Sequence, residues 1–310
     1  MSKLITVFGA TGNQGGSVIK AILADTVLSK ESRLRGITRD VSKPAAQALS
    51  QHGIEVKAAD MSSKASLTEA IRGSHTVFLV TTPDFTSGQP GQELVHGKNV
   101  ADVAKELGVQ HLIFSSLLHV TDTTQGRLKH VIHFDQKAEV ERYIRSIGIP
   151  STFVLPGYFM SNFTSFGMLR KGDDGTYALA YPVGEKARFP LIDIESDMGK
   201  FVVAAIKGQT EVLSKQILAA AGYYTPSQIV SEFTEVTGKK AQFIPVDANT
   251  YKGFLPGPMA DEMLENHFFI EEPGYYAGQD LTESLDLVAN VGLKPATWKE
   301  FLQKNKDVFA

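Results

Sequence analysis

From residue 3 to about 155 the chain alternates short, almost wholly apolar runs with longer stretches in which apolar residues recur every three or four positions. The first pattern predicts strands buried on both faces and the second predicts the helices that cover them. Strands are expected near 3–8, 33–38, 54–59, 76–80, 110–115 and 151–155, with helices near 14–24, 42–52, 65–71, 90–107 and 133–147. Gly53, Gly108 and Gly148 fall just past the helical stretches, where a left-handed residue ends a helix before the next strand. This alternation predicts right-handed βαβ units and therefore an α/β, doubly wound parallel sheet.

Beyond Pro156 the pattern loosens. Leu191 to Gly208 reads as a strand and helix returning to the sheet, and 216–221 as a last strand. Gly, Pro and aromatic residues cluster in 156–190 and 245–280, which are expected as loops, while 226–237 and 282–304 read as helices. The expected division is a nucleotide-binding domain over 1–155, with returning segments at about 189–222. A smaller mixed α/β domain on the substrate or partner side takes 156–188 and 223–310.

The first strand runs directly into Gly9, Gly12 and Gly15, spaced G-x-x-G-x-x-G, and then into an apolar helix. A tight turn needs positive φ and close ligand approach, which glycine allows, and the following helix start aims N–H groups and its positive dipole end at phosphate. Thr11, Asn13 and Gln14 fill the turn between them. Dinucleotide binding is the reading that follows. Arg39 sharpens it, because the second strand ends where the residue facing the adenosine ribose belongs. An acid there selects NAD, whereas a 2′-phosphate needs a cation; Thr38-Arg39, with Lys43 a turn later, favours NADP(H). Asp40 is the competing residue, able to take the ribose position itself.

Composition narrows the class. The 310 residues are 43% hydrophobic and 21% charged, with a net charge of −3 and no run of like charges, which argues against a direct nucleic-acid surface. Zero cysteines excludes disulfides, thiolate catalysis and zinc–thiolate sites. His96, His111, His119, His130, His133 and His267 show no pairing that predicts a metal site. The amino terminus enters the first strand without a charged and then apolar leader, so neither a signal peptide nor a membrane span is expected, and the cytoplasm or nucleus is the expected compartment.

The run from Gly9 to Gly16, Thr38-Arg39, Asp60, Ser115-Ser116, the segment from His133 to Glu141, Leu155 to Phe159 and Asn162-Phe163 together resemble the NmrA-like atypical short-chain dehydrogenases, nearest their HSCARG type. The resemblance runs through nearly the whole chain. It implies a Rossmann fold that binds NADP(H). In the HSCARG type it implies a redox-sensing regulator whose association state responds to the nicotinamide cofactor, while other members are working reductases.

Typical short-chain dehydrogenases carry Tyr-x-x-x-Lys on a helix; the matching spacing here is His133-x-x-x-Lys137. Residues four apart share a helix face, so both reach the same side, but the phenol is gone. Lys137 is expected to clamp the nicotinamide ribose. His133 reads either as a general acid or as a histidine that packs at a helix start, and Tyr158 either as a replacement phenol or as a pocket wall. Ser115 and Ser116 read either as the substrate-orienting hydroxyl of a short-chain dehydrogenase or as ordinary turn residues at a strand end, Asp60 and Met61 fit the adenine edge, and Thr81, Thr82 and Pro83 line the groove after the fourth strand. Lys98 reads as solvated or as reaching the cofactor, Asp197 to Gly199 as a helix start, and Glu262 to Glu272 as an interaction surface or a loop over the cleft.

Two functions compete on this reading. One is a regulator in which NADP(H) orders 83–92 and 156–170 and changes a protein-partner or homodimer surface. The other is a reductase of a small carbonyl, imine or enone substrate.

Overall fold

The computed structural model describes residues 2–83, 91–165 and 167–309. Six strands follow the expected pattern, β1 (Lys3–Phe8), β2 (Ser32–Thr38), β3 (Glu55–Ala58), β4 (Thr76–Leu79), β5 (His111–Ser115) and β6 (Ser151–Pro156). Further strands come after them, β7 (Tyr158–Phe159), β8 (Leu169–Lys171), β9 (Tyr177–Tyr181), β10 (Phe189–Ile192), β11 (Gln216–Ala219), β12 (Gly222–Tyr224) and β13 (Ala241–Pro245). The main sheet has seven strands in the order β11-β6-β5-β4-β1-β2-β3, all parallel. This is the doubly wound Rossmann-type arrangement. Every residue of β4, β5 and β6 is buried, because helices cover both faces.

Alternate residues serve the two faces. Ile5, Val7, Phe78, Ile113 and Val154 point into a core shared with the helices Asn13–Ala24 and Ile194–Lys207. Phe8, Val77, Leu112, Phe114 and Phe153 point the other way, towards Gln92–Glu106 and Ile132–Ile147, in a core that continues unbroken to Tyr181, Trp298 and Phe309.

Four expectations change. The strand ending at Ile192 does not return to the main sheet: β10 lies between β7 and β12 in a separate three-stranded sheet, and β8, β9 and β13 form another. Only the helix behind it, Ile194–Lys207, returns, packing on the helix Asn13–Ala24. Gly199 is not at a helix start but inside this helix at the crossing, where a Cβ would stand 2.2 Å from the Ser17 carbonyl oxygen. The segment 282–304 is two helices, Thr282–Ala289 and Trp298–Lys304, because Gly292 turns the chain at φ 76° and Thr297 caps a new start with Glu300. Much of 245–280, expected as loop, is helical, Ala248–Gly253 and Gly257–Phe269.

His111 opens β5 almost fully buried, its Nε2 2.8 Å from the Thr152 hydroxyl, which itself donates to the Val212 carbonyl at 3.0 Å. The ring therefore donates from Nε2 as a neutral imidazole. Burial pushes it down from 6.5 to about 4, and burial does the same to His267. Both rings stay neutral in the fold at pH 5, whereas in the unfolded chain they take up protons below 6.5. Stability is thus present above that value and lost as pH falls towards 4, by up to about 3 kcal/mol per ring. Urea unfolding at pH 7 and pH 5 should show this loss, and His111→Gln should flatten it; an unchanged slope in the variant would remove the assignment.

Candidate functional site

The strand order reverses between β1 and β4, and a doubly wound sheet opens a ligand crevice at that point. The glycine turn sits there. Gly9 takes φ 63°, and a Cβ on it would meet the Val80 side chain, beyond β4, at 2.8 Å. The Gly12 N–H closes the turn on the Gly9 carbonyl at 2.9 Å. Gly15 lies so close beneath that a Cβ would be 2.3 Å from the Gly9 oxygen and 2.6 Å from that of Phe8. The helix Asn13–Ala24 starts from Gly12 with no side-chain cap and no acid in its first turn. Its free N–H groups and dipole end therefore face the crevice uncompensated. Thr11, Gly12 and Asn13 are exposed around it, while Gln14 Oε1 is buried and has no partner among the described residues.

On the β2 side, Arg39 is exposed and makes no ion pair among the described residues, and Lys43 stands exposed at the start of the helix Pro44–Gln51. Asp40 is turned onto Ser42, accepting from its hydroxyl at 2.6 Å and its N–H at 2.9 Å, and these bonds hold its carboxyl below the usual range. The cation, not the acid, is left available. Asp60, exposed past β3, accepts from the Ser62 N–H at 2.8 Å, and Asn99 anchors the Met61 carbonyl at 3.0 Å.

On the other side, Thr81 follows β4 buried, Thr82 beside it is exposed, and Ser115 ends β5 fully buried with its hydroxyl unpartnered among the described residues. Lys137 reaches this point from the helix Ile132–Ile147. Its Nζ donates to the Thr81 carbonyl at 2.9 Å, the Thr81 hydroxyl at 3.1 Å and Glu93 Oε1 at 2.5 Å. The same Glu93 oxygen accepts from the Thr81 hydroxyl at 2.5 Å. Glu93 is a residue the sequence reading missed. On the helix Gln92–Glu106 it heads the buried stripe 93, 97, 100, 101 and 104, so an acid in phase with an apolar face was the available signal.

His133, one turn before Lys137, is tied to the helix Gly257–Phe269: Glu262 Oε1 accepts its backbone N–H at 2.8 Å and lies 2.5 Å from its Nδ1. Glu265 does the same for His130, at 2.7 Å from the N–H and 2.6 Å from Nδ1. Residues 262–272, expected as a surface or loop, thus begin in a helix that grips the first turn of the helix carrying Lys137. Tyr158 lies in the aromatic interior, its hydroxyl 2.8 Å from that of Tyr181, and burial pushes it up to about 12. Lys98 turns away over the Tyr143 ring, 5.1 Å from its centroid.

Among the described residues no cluster of three or more His, Cys, Asp or Glu is placed to hold a metal ion, and no helix is long and apolar enough to cross a membrane. Two surface cavities of about 320 and 550 Å³ lie at the amino ends of strands, one beside Arg33 and Gly53 and the other beside Lys215 and Gln216, away from the crevice.

Residues 1–302 match the model of the NmrA-like family. The chain is 34% identical over 299 residues to the NmrA-like family domain-containing oxidoreductase ptmS of Penicillium ochrochloron, covering 91% of this chain and 88% of that protein. It is 34% identical over 257 residues to the similarly named oxidoreductase malD of Malbranchea aurantiaca, covering 78% and 75%. In fold it is similar to NmrA, a negative transcriptional regulator, in complex with NADP, at a TM-score of 0.81 and 21% identity, covering 99% and 96%. It is also similar to the Citrobacter sp. triphenylmethane reductase complexed with NADP(H), at 0.78 and 22%, covering 97% and 99%.

Proposed function

The chain belongs to the NmrA-like family, and from that membership and its strand-end crevice we propose that it binds NADP(H) and acts as a redox-sensing regulator whose conformation or association responds to NADPH. The residues present fit the cofactor. Gly15 lets the helix pack directly on the glycine turn and so sets its uncapped start at the crevice for the pyrophosphate, Arg39 offers for the 2′-phosphate a guanidinium with no ion pair among the described residues, and the buried oxygens of Gln14 and Ser115 lack protein partners among the described residues. Thr11, Asn13, Lys43, Asp60, Met61, Thr81 and Thr82 line the remainder of the path.

The observation that carries the regulatory reading is the double attachment of one helix. Ile132–Ile147 presents Lys137 to the crevice and is held at its first turn by Glu262 of the carboxy-terminal layer. A ligand that binds one setting of this helix more tightly than another shifts the molecule by that difference in affinity. Residues 84–90 of the segment expected to order on binding lie outside the described residues.

The reductase reading is kept because ptmS and malD are named oxidoreductases. When bound, reduced nicotinamide would supply the hydride, and His133 or Tyr158 the proton to a carbonyl, imine or enone. Following nicotinamide absorbance with NADPH and a panel of such compounds separates the two. Turnover that disappears in both Lys137→Met and His133→Ala supports the reductase. No turnover, together with a cofactor-dependent change in mass or protease sensitivity, supports the regulator. Arg39→Ala should lower NADPH affinity about tenfold or more and leave NADH affinity nearly unchanged. Calorimetry reads this directly, and equal losses for both would remove the 2′-phosphate assignment.

A further inference from the structure

We propose that Glu262 and Glu265 are positioning residues for the nicotinamide half of the cofactor: from the carboxy-terminal layer they cap the helix that carries Lys137, and so set how firmly that half is held. The inference rests on the NADP(H) reading and deepens it.

The helix Ile132–Ile147 does not cap itself. Val131 stands at its N-cap with no side-chain hydrogen bond, and the acid of its first turn, Asp135, is turned onto Thr121, accepting from that residue's N–H at 3.2 Å and from its hydroxyl. The backbone donors at its start are satisfied from another helix instead. Glu262 Oε1 accepts the His133 N–H at 2.8 Å, and Glu265 Oε2 accepts those of Lys129 at 2.6 Å and His130 at 2.7 Å. The same two carboxylates receive the histidine rings, Glu262 at 2.5 Å from His133 Nδ1 and Glu265 at 2.6 Å from His130 Nδ1. They stand three residues apart on one face of the helix Gly257–Phe269, which aims both at the positive end of the neighbouring helix. The helix Asn13–Ala24, by contrast, starts with no side-chain cap and no acid in its first turn. One helix start is left open for an anion, and the other is closed by the protein.

This seam couples Lys137 to the layer that caps it. Arg127 adds a bond from its guanidinium to the Glu272 carbonyl at 2.6 Å, so the donors lie on 127–133 and the acceptors on 262–272. Behind them Phe134 is buried edge-on against Phe269 and Tyr275, with ring centroids 6.1 and 5.3 Å away. Another face of the capping helix reaches Tyr181 of β9, whose ring centroid is 4.4 Å from that of His267. A shift of this helix therefore carries 127–133 with it. Lys137 follows, because it lies one turn beyond His133 on the same hydrogen-bonded helix, about 6 Å along the axis. Its Nζ is set beside β4 by bonds to the Thr81 carbonyl at 2.9 Å and hydroxyl at 3.1 Å. On the NADP(H) reading the adenosine half lies on the other side of β1, held by the glycine turn and by Arg39 beyond β2. Loosening the cap is thus felt by the nicotinamide half and not by the adenosine half.

The test is calorimetric binding of NADPH and of 2′,5′-ADP, which keeps the adenosine phosphates and lacks the nicotinamide half, to the wild type and two paired variants. Glu262→Ala/Glu265→Ala removes the acceptors and should weaken NADPH about tenfold while leaving 2′,5′-ADP within about twofold of wild type. Glu262→Gln/Glu265→Gln keeps an amide oxygen for the backbone N–H groups, so it should hold NADPH within about threefold of wild type. Retained 2′,5′-ADP binding also reports that the alanine pair is folded; if it is not, Glu262→Ala alone carries the comparison against Glu262→Gln. The proposal is overturned if the alanine variant binds NADPH like wild type, if both ligands weaken in parallel, or if the glutamine variant is as weak as the alanine one, which would make charge rather than capping the cause. Wild-type protein that binds neither ligand would instead overturn the cofactor reading itself.

Discussion

Lys137→Met is expected to destabilise the fold by about 3–5 kcal/mol, the cost of leaving a buried carboxylate without its cation. Glu93 has no exposed side-chain surface, and Lys137 has 7%. Removing the ammonium leaves Glu93 with the Thr81 hydroxyl as its donor among the described residues, in a site that water does not reach. The double variant Glu93→Gln/Lys137→Met removes both charges, and methionine fills much of the lysine stem's volume, so it should recover most of the loss. Urea unfolding of the wild type, both single variants and the double closes this cycle. A double variant no more stable than Lys137→Met would show that packing of the lysine stem, not the ion pair, sets the cost. The result also bears on function, because low activity of Lys137→Met alone would mix unfolding with loss of a binding group.

Gly15→Ala is expected to abolish measurable binding of NADPH and NADH alike. The added Cβ would lie 2.3 Å from the Gly9 carbonyl oxygen and 2.5 Å from its carbon, distances at which backbone must move. The displaced atoms belong to the turn whose Gly9 carbonyl also receives the Gly12 N–H. Moving that turn disturbs the start of the helix Asn13–Ala24 and the contact of Gly9 with Val80 together. Overpacking of this kind costs roughly 1–3 kcal/mol in stability, while the loss of an aligned helix start removes the anion site itself. The contrast with Arg39→Ala is diagnostic: the arginine variant separates the two cofactors, and the glycine variant does not. Retention of wild-type affinity for either cofactor in Gly15→Ala would place the pyrophosphate elsewhere.

The sheet was legible because its strands are short and buried on both faces, which leaves an apolar run as the only pattern they can show. Residues 3–8 and 76–80 were readable for that reason, and the glycine turn was readable from its spacing between strand and helix. The same rule misassigned β10. Phe189 to Ile192 is as apolar as β6, and the choice between the main sheet and a small one depends on β7 and β12 arriving beside it. Gly199 shows the same limit: a glycine near the start of a helix reads as punctuation until another helix is seen crossing at Ser17. The helix Gly257–Phe269 was hidden by a mixture of acids and aromatics, since Glu262 and Glu265 serve histidines more than a hundred residues earlier in the chain.

What the chain alone determined is local. Periodicity, glycine spacing and a cation after the second strand specify a doubly wound sheet with an open helix start, because each rests on neighbours a few residues apart. The partners of the charged groups were decided only by the fold. Lys137 is taken up by Glu93 across 44 residues, and His133 by Glu262 across 129. A buried charge must find its counter-charge wherever packing delivers one, and that delivery depends on how distant segments meet in space, which no local pattern encodes.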